Sequence, residues 1–426
     1  MTRLPFVGKS GSLLHLAVRS LTRHRVANAV TILTASLAVG LSFAVFAINA
    51  QAKQAFVRGG SGYDAVLGAR GSQLQLVLNT VFHLETSPGN IPWSLYKAVS
   101  ERPGVRRAVP IAVGDNYNGF RLVGVTLNYF TDPPDDAPPW RFEPGGREFD
   151  ESRREAVIGS FAARESGLQL GSTFSPYHGL IFDESAQHSE QYVVVGVLEP
   201  TNTPSDRVIF IPIEGIYRMG GHVLRGAGED YTAQAGEAIP EEHREVSAVL
   251  LDLSNPQMGF TLERQVNKQG KVATLAFPIG RVVGEVFQKM GWAHRILAFV
   301  SYLVLIIACG SILTNIVQTL GTRQKEFAVL RALGMPRSRL FALLVTESSL
   351  LAAAGSLAGF LVYGVIVSVA AVVIRYQTGV VIDPFSFHPV FVWGPLVMIG
   401  LGALVGVLPA RKAYRTPVAE SLSGGS

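Results

Sequence analysis

Four apolar stretches set the limits on what this chain can fold into, and they are unevenly spaced. The first is Val26–Ala50, and Ile296–Val317, Leu340–Ile374 and Val390–Ala410 follow close together near the other end. Each can form a helix that crosses the hydrocarbon core of a bilayer, which takes about 20 residues. The sequence therefore predicts four transmembrane α-helices in a one-plus-three arrangement, with a large extracytoplasmic α+β domain between the first and the second.

Basic residues lie at the ends of these stretches and predict their orientation. Of the 37 lysines and arginines, 13 lie in the segments 1–25, 318–339 and 411–426. Since basic flanks stay in the cytoplasm, these segments are expected inside the cell. The segment 51–295 holds 23 basic and 28 acidic residues. The net charge of +5 thus reflects the membrane flanks and does not indicate a nucleic-acid partner.

The predicted organisation follows from these two observations. Ala50-Gln51-Ala52 resembles a signal-peptide cleavage site, but the first apolar run exceeds the roughly 7–15 residues of a signal core. We therefore expect an uncleaved anchor. The segments are a cytoplasmic 1–25, a span 26–50, an extracytoplasmic domain 51–295 with stalk helices, a span 296–317, a cytoplasmic 318–339, a span 340–374, an outer loop 375–389, a span 390–410 and a cytoplasmic tail 411–426.

The outer segment has the pattern of a mixed α+β domain. Residues 74–82 and 279–294 have helical spacing, and the second run continues into the next span as a stalk helix. Residues 220–245 are rich in glycine and acids, which predicts a mobile loop. Short β-branched runs bounded by turn residues predict strands; they are Val109–Val113, Phe120–Val125, Ala156–Gly159, Tyr192–Leu198, Val208–Ile213 and Val246–Leu253.

No catalytic, cofactor or metal residue is assigned from the sequence. Gly8-Lys9-Ser10 lacks the earlier glycine of a phosphate-binding loop. The lone Cys309 lies in a predicted span. Four outer histidines have no zinc-ligand spacing, so surface histidines are the favoured interpretation. A metal role is the minor alternative, because the third and fourth flank the acidic loop; the four are His178, His188, His222 and His243.

Polar and small residues inside the spans indicate helix packing. Glu347 is the only acid inside the four stretches, so it either contacts another helix or lies hydrated near the interface. Gly355 and Gly359 are four residues apart in the third span, and Gly402 and Gly406 repeat that spacing in the fourth. Small residues at this spacing permit close helix approach.

The segment 318–339 contains a short amphipathic helix that ends at Gly334 and Pro336. Phe327, Leu330 and Leu333 recur on one side, with charges such as Glu326 and Arg331 on the other. A helix of this kind docks into a groove of a partner protein or rests on lipid. If it docks, the apolar side forms the contact.

Three stretches resemble the MacB/FtsX family of ABC-transporter permeases. Residues 323–334, Arg-Gln-Lys-Glu-Phe-Ala-Val-Leu-Arg-Ala-Leu-Gly, are similar to that family's cytoplasmic coupling segment, with Phe327-Ala328 where Ile-Gly is more usual. Residues 409–422 resemble its exit from the last span. Residues 156–159, 167–171 and 192–197 resemble its outer domain.

The resemblance implies a mechanotransmission permease in the inner membrane. ATP and magnesium would then bind a separate ABC ATPase subunit, and this chain would hold no cofactor and catalyse no reaction. The implied partners are that ATPase, a second permease chain and the membrane, with a periplasmic accessory protein as a further candidate. The implied coupling residues are Glu326, Phe327, Leu330, Arg331, Leu333 and Gly334.

Within the family, the implied substrates are a peptide, a lipoprotein or a small molecule that is exported or handled in the envelope. The alternative is a membrane-anchored sensor or scaffold, which binds an envelope ligand or regulates a cell-wall enzyme without transport. Association with an ATPase distinguishes the two.

Overall fold

The computed structural model describes residues 11–58, 62–135, 137, 139–178, 187–332, 334–378 and 381–415. These residues form two units. The membrane unit contains the described residues of 1–51, 291–373 and 382–426, and the outer domain contains those of 52–290 and 374–381. The two units are described separately below.

Long apolar helices make up the membrane unit. Among the described residues, four stretches are long and apolar enough to cross a membrane: Arg25–Ala52, Gly291–Thr322, Arg337–Tyr376 and Val390–Arg411. The one-plus-three arrangement predicted from the sequence is therefore confirmed. In chain order the helices are α1 Gly11–Arg23, α2 Arg25–Arg58, α3 Gln73–Thr80, α4 Trp93–Ser100, α5 Asn128–Thr131, α6 Ser160–Ser166, α7 Ile213–Arg218, α8 Pro256–Glu263, α9 Ile279–Thr322, α10 Gln324–Ala332, α11 Arg337–Thr378 and α12 Val390–Arg415.

A mixed sheet forms the centre of the outer domain. Its strands, with one separate pair, are β1 Ala65–Ala69, β2 Ile91–Pro92, β3 Val105–Tyr117, β4 Phe120–Val125, β5 Glu155–Ile158, β6 Thr173–Phe174, β7 Tyr192–Val197, β8 Ile209–Pro212, β9 Glu245–Val246, β10 Ala248–Leu253 and β11 Ala273–Ala276. Within the described ranges, nine of them pair in the order β11-β1-β10-β3-β4-β8-β5-β7-β6, and β2 pairs with β9. The β4–β8 and β5–β7 pairs are parallel.

Apolar side chains cover both faces of this sheet. Because successive residues of a strand point to opposite faces, Leu67 and Leu251 enter one buried cluster, whereas Val66 and Leu250 enter another. The second cluster also contains Val282 near the start of α9. This part of α9 is thus a component of the outer domain's core.

The α+β prediction for the outer domain is confirmed, although single elements differ. The sequence does not predict β1 and β11, because these short runs are rich in alanine and glycine, which have low strand propensity. The expected loop 220–245 is held at two points, since Leu224 and Ile239 are buried in the core. Its composition alone gave no indication of these anchors.

Candidate functional site

The buried guanidinium of Arg323 connects three helices of the membrane unit. It follows α9 directly, and its Nη1 donates hydrogen bonds to Oγ of Ser20 at 2.5 Å and to Oε1 of Glu347 at 3.1 Å. Its Nε donates to Oε2 of Glu326 at 3.1 Å. Since Ser20 lies on α1, Glu326 on α10 and Glu347 on α11, one side chain fixes the start of α10 against its neighbours.

Glu347 is 1% exposed and lies on α11, in the third span. The sequence left two interpretations open for Glu347, a contact with another helix or a hydrated position near the interface. The structure agrees with the first, because the carboxylate pairs with Arg323. A buried carboxylate needs such a partner, because its desolvation is costly. The pair therefore joins the segment 318–339 to α11.

Glu326 is paired within the chain as well. Its Oε1 accepts a hydrogen bond from Nη1 of Arg23 at 2.6 Å, and its Oε2 accepts one from Arg323. The hydrogen bond from Arg323 holds the pKa of Glu326 below its usual range, and Arg23 adds to this effect. Glu326 therefore positions α10 against α1.

Helix α10 does not present the apolar face that the sequence predicts. Phe327 is only 5% exposed, and the Arg323 guanidinium lies 4.8 Å from its ring centroid. The prediction that Phe327 contributes to an exposed face is therefore wrong, because its ring packs inward beside a buried cation. Val329 is 50% exposed and Leu330 is half-buried. Leu333 lies outside the described residues.

The C-terminus of α10 is fixed by Gly334, which has φ of +97°. The Gly334 amide donates to the Arg331 carbonyl at 3.0 Å, and the Met335 amide donates to the Leu330 carbonyl at 3.0 Å. This pair of bonds is a Schellman motif, which favours glycine at the left-handed position. The half-buried Arg331 thus lies in the last turn of the helix.

Polar contacts that were not predicted from the sequence join α2 and α9. Nδ2 of Asn315 donates to Oδ1 of Asn28 at 2.9 Å and to Oγ1 of Thr31 at 2.8 Å. All three residues are less than 9% exposed. Asn315 lies two residues before the end of the predicted apolar stretch Ile296–Val317, so a polar residue within that stretch was the available signal.

In the outer domain, three histidines converge on one aspartate. Nδ1 of His178 lies 2.6 Å from Oδ1 of Asp115. Nε2 of His222 and Nε2 of His188 lie 3.0 Å and 3.4 Å from Oδ2 of the same carboxylate. One potential ligand atom from each residue lies within 4.8 Å of each of the others. We call these four residues the histidine cluster.

A bulge in β3 directs Asp115 into this cluster. The register between β3 and β4 shifts between Val113 and Asn116, so Gly114 and Asp115 lie within the bulge, a feature that redirects side chains. The absence of a side chain at Gly114 leaves space for His222, because a Cβ there would lie 3.3 Å from Cε1 of that histidine. The bulge therefore orients the Asp115 carboxylate, and the glycine within it leaves space for the His222 imidazole.

The histidines come from segments that pack beside the bulge. Tyr177 forms a β-bridge with Asn116 and another with Gln187, which brings the neighbouring residues His178 and His188 next to Asp115. His222 follows α7 and the left-handed Gly221, with φ of +86°. The interpretation as surface histidines is therefore wrong for His188, which is buried, and for His222, whose side chain is 15% exposed, whereas the His178 side chain is 48% exposed. His243 lies apart, stacked on Tyr231 with ring centroids 4.5 Å apart.

The cluster is electrostatically unusual. The Asp115 side chain is 0% exposed, and burial raises its pKa, but the surrounding imidazoles, His222 foremost, outweigh burial and hold the pKa below its usual range. Both carboxylate oxygens, and Nε2 of His188 and of His222, are buried without a hydrogen bond among the described residues.

Comparison with known proteins identifies the chain. A model of the FtsX-like permease C-terminal domain matches residues 298–418. A model of the MacB-like periplasmic core domain matches residues 29–247, which is more than half of the chain. The chain belongs to the MacB/FtsX family of ABC-transporter permeases. The resemblance seen in the sequence is thereby confirmed.

Two solved structures are similar to the outer part of this MacB/FtsX permease. The periplasmic region of MacB from Actinobacillus actinomycetemcomitans is 11% identical over 56% of this chain and 98% of its own, with a TM-score of 0.34. The extracellular domain of the noncanonic ABC-type transporter YknZ from Gram-positive bacteria is 14% identical over 50% of this chain and 99% of its own, with a TM-score of 0.30. No curated protein matches the sequence.

Family membership and the four apolar helices make the chain a multi-pass inner-membrane protein with a periplasmic domain. The expected localisation is confirmed.

The glycine pairs of this MacB/FtsX permease lie at contacts between its helices. A Cβ added to Gly355 would clash with Cβ of Ala35, and one added to Gly359 would lie 2.9 Å from Cγ1 of Val39. Gly402 and Gly406 face α11 instead. A Cβ added to Gly402 would lie 3.0 Å from the Ser348 carbonyl oxygen, and one added to Gly406 would clash with the Ser348 hydroxyl. The first pair thus packs against α2 and the second against α11.

Replacing Gly355 with alanine is expected to destabilise the membrane unit, because overpacking typically costs about 1–3 kcal/mol. Gly364→Ala is the matched control, since it lies on the same helix and an added Cβ there meets no described atom within 4 Å. The midpoint of thermal unfolding in detergent should fall only for Gly355→Ala. Equal midpoints for the two variants would contradict the close contact with α2.

Proposed function

We propose that this permease converts ATP hydrolysis by a separate ABC ATPase subunit into movement of its periplasmic domain. The movement would serve export or envelope handling of a peptide, a lipoprotein or a small molecule. The observation that carries the proposal is helix α10, in the segment that resembles the family's coupling segment. Phe327 and Ala328 anchor it within the membrane unit, whereas Val329 remains exposed.

Helix α9 supplies a route from the coupling segment to the outer domain. It runs from Ile279 to Thr322, a single helix of 44 residues, and Arg323 follows it directly. At its other end, Ile279, Val282 and Val283 are buried in the outer domain's core. A displacement at Arg323 is thus applied to the end of a helix whose first turn is part of that core.

The buried polar groups of the spans support a role in transmitting movement rather than in forming a path for substrate. Asn315 and Glu347 are both less than 5% exposed, and both are engaged in contacts between helices. Polar residues that line a substrate path face a water-filled cavity instead. We therefore place substrate handling in the periplasmic domain.

The proposed assembly contains two permease chains and two ATPase subunits, with ATP and magnesium bound by the ATPase. A periplasmic accessory protein completes the assembly if the substrate continues outward. No residue of this chain is assigned a catalytic role.

The first test is whether ATP hydrolysis depends on a partner. The permease is purified from its native membrane through an affinity tag, with and without a high-salt wash that removes peripheral subunits. We expect ATPase activity to leave with the washed fraction and to return when that fraction is added back. Activity that follows the washed permease through a final sizing column would contradict the proposal.

The sensor or scaffold function makes the opposite prediction. A sensor would be isolated without an ABC ATPase under every mild detergent condition, and a cross-linker added to intact membranes would capture none. Finding the ATPase cross-linked to the segment 318–339 would instead exclude an ATP-independent scaffold.

A further inference from the structure

We infer that the histidine cluster of the outer domain is a binding site for one transition-metal ion of the Zn²⁺ class. Its ligands are Asp115, His178, His188 and His222. The inference stands on the geometry of these four residues and does not depend on coupling to an ATPase.

The spacing of the donor atoms suits a four-coordinate ion. Zinc binds imidazole nitrogen and carboxylate oxygen at about 2.0–2.2 Å, so the donors of a tetrahedral site lie about 3.3 Å apart. In the cluster, Asp115 lies 2.6 Å, 3.0 Å and 3.4 Å from the three imidazole nitrogens, and one donor from each residue lies within 4.8 Å of each of the others. Adjustments of about 1 Å by side chains would complete the coordination.

The cluster contains buried polar atoms that lack hydrogen-bond partners and could act as ligands of a cation. The buried oxygens of Asp115 and Nε2 of His188 and of His222 make no hydrogen bond among the described residues. A buried polar atom without a partner is unfavourable, because it has lost its hydrogen bonds to water. A metal ion would accept a lone pair from one Asp115 oxygen and from one nitrogen of each imidazole, and it would neutralise the buried carboxylate.

The donor set selects the class of metal. Three imidazoles and one carboxylate favour zinc and its first-row neighbours, whereas magnesium and calcium prefer oxygen ligands throughout. The soft sulfur ligands that favour copper(I) are absent from the four-residue group. The probes are therefore Zn²⁺, and Co²⁺ as a spectroscopic substitute.

Two features allow an ion to enter and leave. The His178 side chain is 48% exposed, whereas Asp115 is fully buried. A cleft of about 750 Å³ also borders the cluster and is lined in part by Asp115, Asn116 and Arg121. The exposed imidazole and the cleft thus give an ion access to the buried carboxylate.

The experiment measures Zn²⁺ binding to the full-length permease in detergent. The protein carries an affinity tag without histidines and is first stripped with a chelator. Titration calorimetry gives the stoichiometry, and competition with a chromophoric chelator gives the affinity. We expect one tightly bound Zn²⁺ per chain, and Co²⁺ should produce the intense visible absorption of a four-coordinate ion.

The matched variants are His222→Ala and His243→Ala, because the two side chains are equally exposed at 15% but only the first belongs to the cluster. Loss of His222 should weaken Zn²⁺ binding by about 100-fold or more, since even outer-sphere partners of a metal alter affinity by roughly 10–100-fold. Loss of His243 should leave the affinity unchanged.

His178→Ala guards against failure to fold, because this side chain is half-exposed and its removal leaves the core intact. It should also weaken Zn²⁺ binding and reduce the visible absorption of the Co²⁺ form. The inference is overturned if the wild-type chain binds no Zn²⁺. It is equally overturned if folded His178→Ala and His222→Ala bind Zn²⁺ as tightly as His243→Ala does.

Discussion

Replacing Arg323 with alanine is expected to destabilise the membrane unit by about 3–5 kcal/mol, the usual cost of removing one partner from a buried ion pair. The carboxylate of Glu347 would remain 1% exposed in the third span without its counter-ion. The Ser20 hydroxyl and Glu326 would each lose a hydrogen bond from the guanidinium. The midpoint of thermal unfolding in detergent measures the effect.

Three further variants separate this interaction from a general effect of lost charge. Glu347→Gln should cost less, because the amide oxygen still accepts a hydrogen bond from Arg323. The double variant Arg323→Ala with Glu347→Ala should be more stable than Arg323→Ala alone, since it leaves no unpaired carboxylate. Arg19→Ala is the control, because Arg19 is exposed on α1. An Arg323→Ala protein as stable as Arg19→Ala would contradict the buried pair.

Replacing Val329 with aspartate is expected to release the ATPase subunit while the permease still folds. Val329 is 50% exposed on α10, so the permease alone tolerates a charge there. In a docked complex the same charge would be buried without a partner, at a cost of several kcal/mol. We therefore expect affinity for the ATPase to fall by about 100-fold or more, which is about 3 kcal/mol.

Co-purification of the ATPase in mild detergent and permease-dependent ATP hydrolysis are the two measurements. Leu330→Asp should act in the same direction but should also lower stability, because Leu330 is half-buried. Val272→Asp is the control, since Val272 is exposed in the outer domain. A Val329→Asp permease that keeps its ATPase and full hydrolysis would show that α10 rests on lipid instead of docking.

Phe327 shows why the sequence of a short amphipathic helix does not reveal what its apolar side packs against. The spacing of Phe327 and Leu330 correctly marks an apolar side, but an apolar side packs equally well against a partner or against its own chain. In the structure Phe327 is buried beside Arg323. Arg323 is in turn held by Ser20 and Glu347, which lie 303 and 24 residues from Arg323 in the sequence.

The sequence by itself determined the number of spans, their spacing and the α+β character of the large domain. These properties depend on local quantities: the length of an apolar run, the basic residues at its ends and the alternation within a strand. The resemblance to the MacB/FtsX family also came from contiguous residues, above all those of 323–334. Each of these signals is complete within a window of a few tens of residues.

Only the tertiary structure decided where the histidine cluster lies. Its residues have no ligand spacing along the chain, and Asp115 points inward because of a bulge that shifts the register of β3 against β4. His178 and His188 approach it through bridges that Tyr177 makes, and His222 enters through the space beside Gly114. A register shift of one residue reverses the face of every side chain in a strand. Such a site is therefore fixed by pairing between distant segments, which no local pattern encodes.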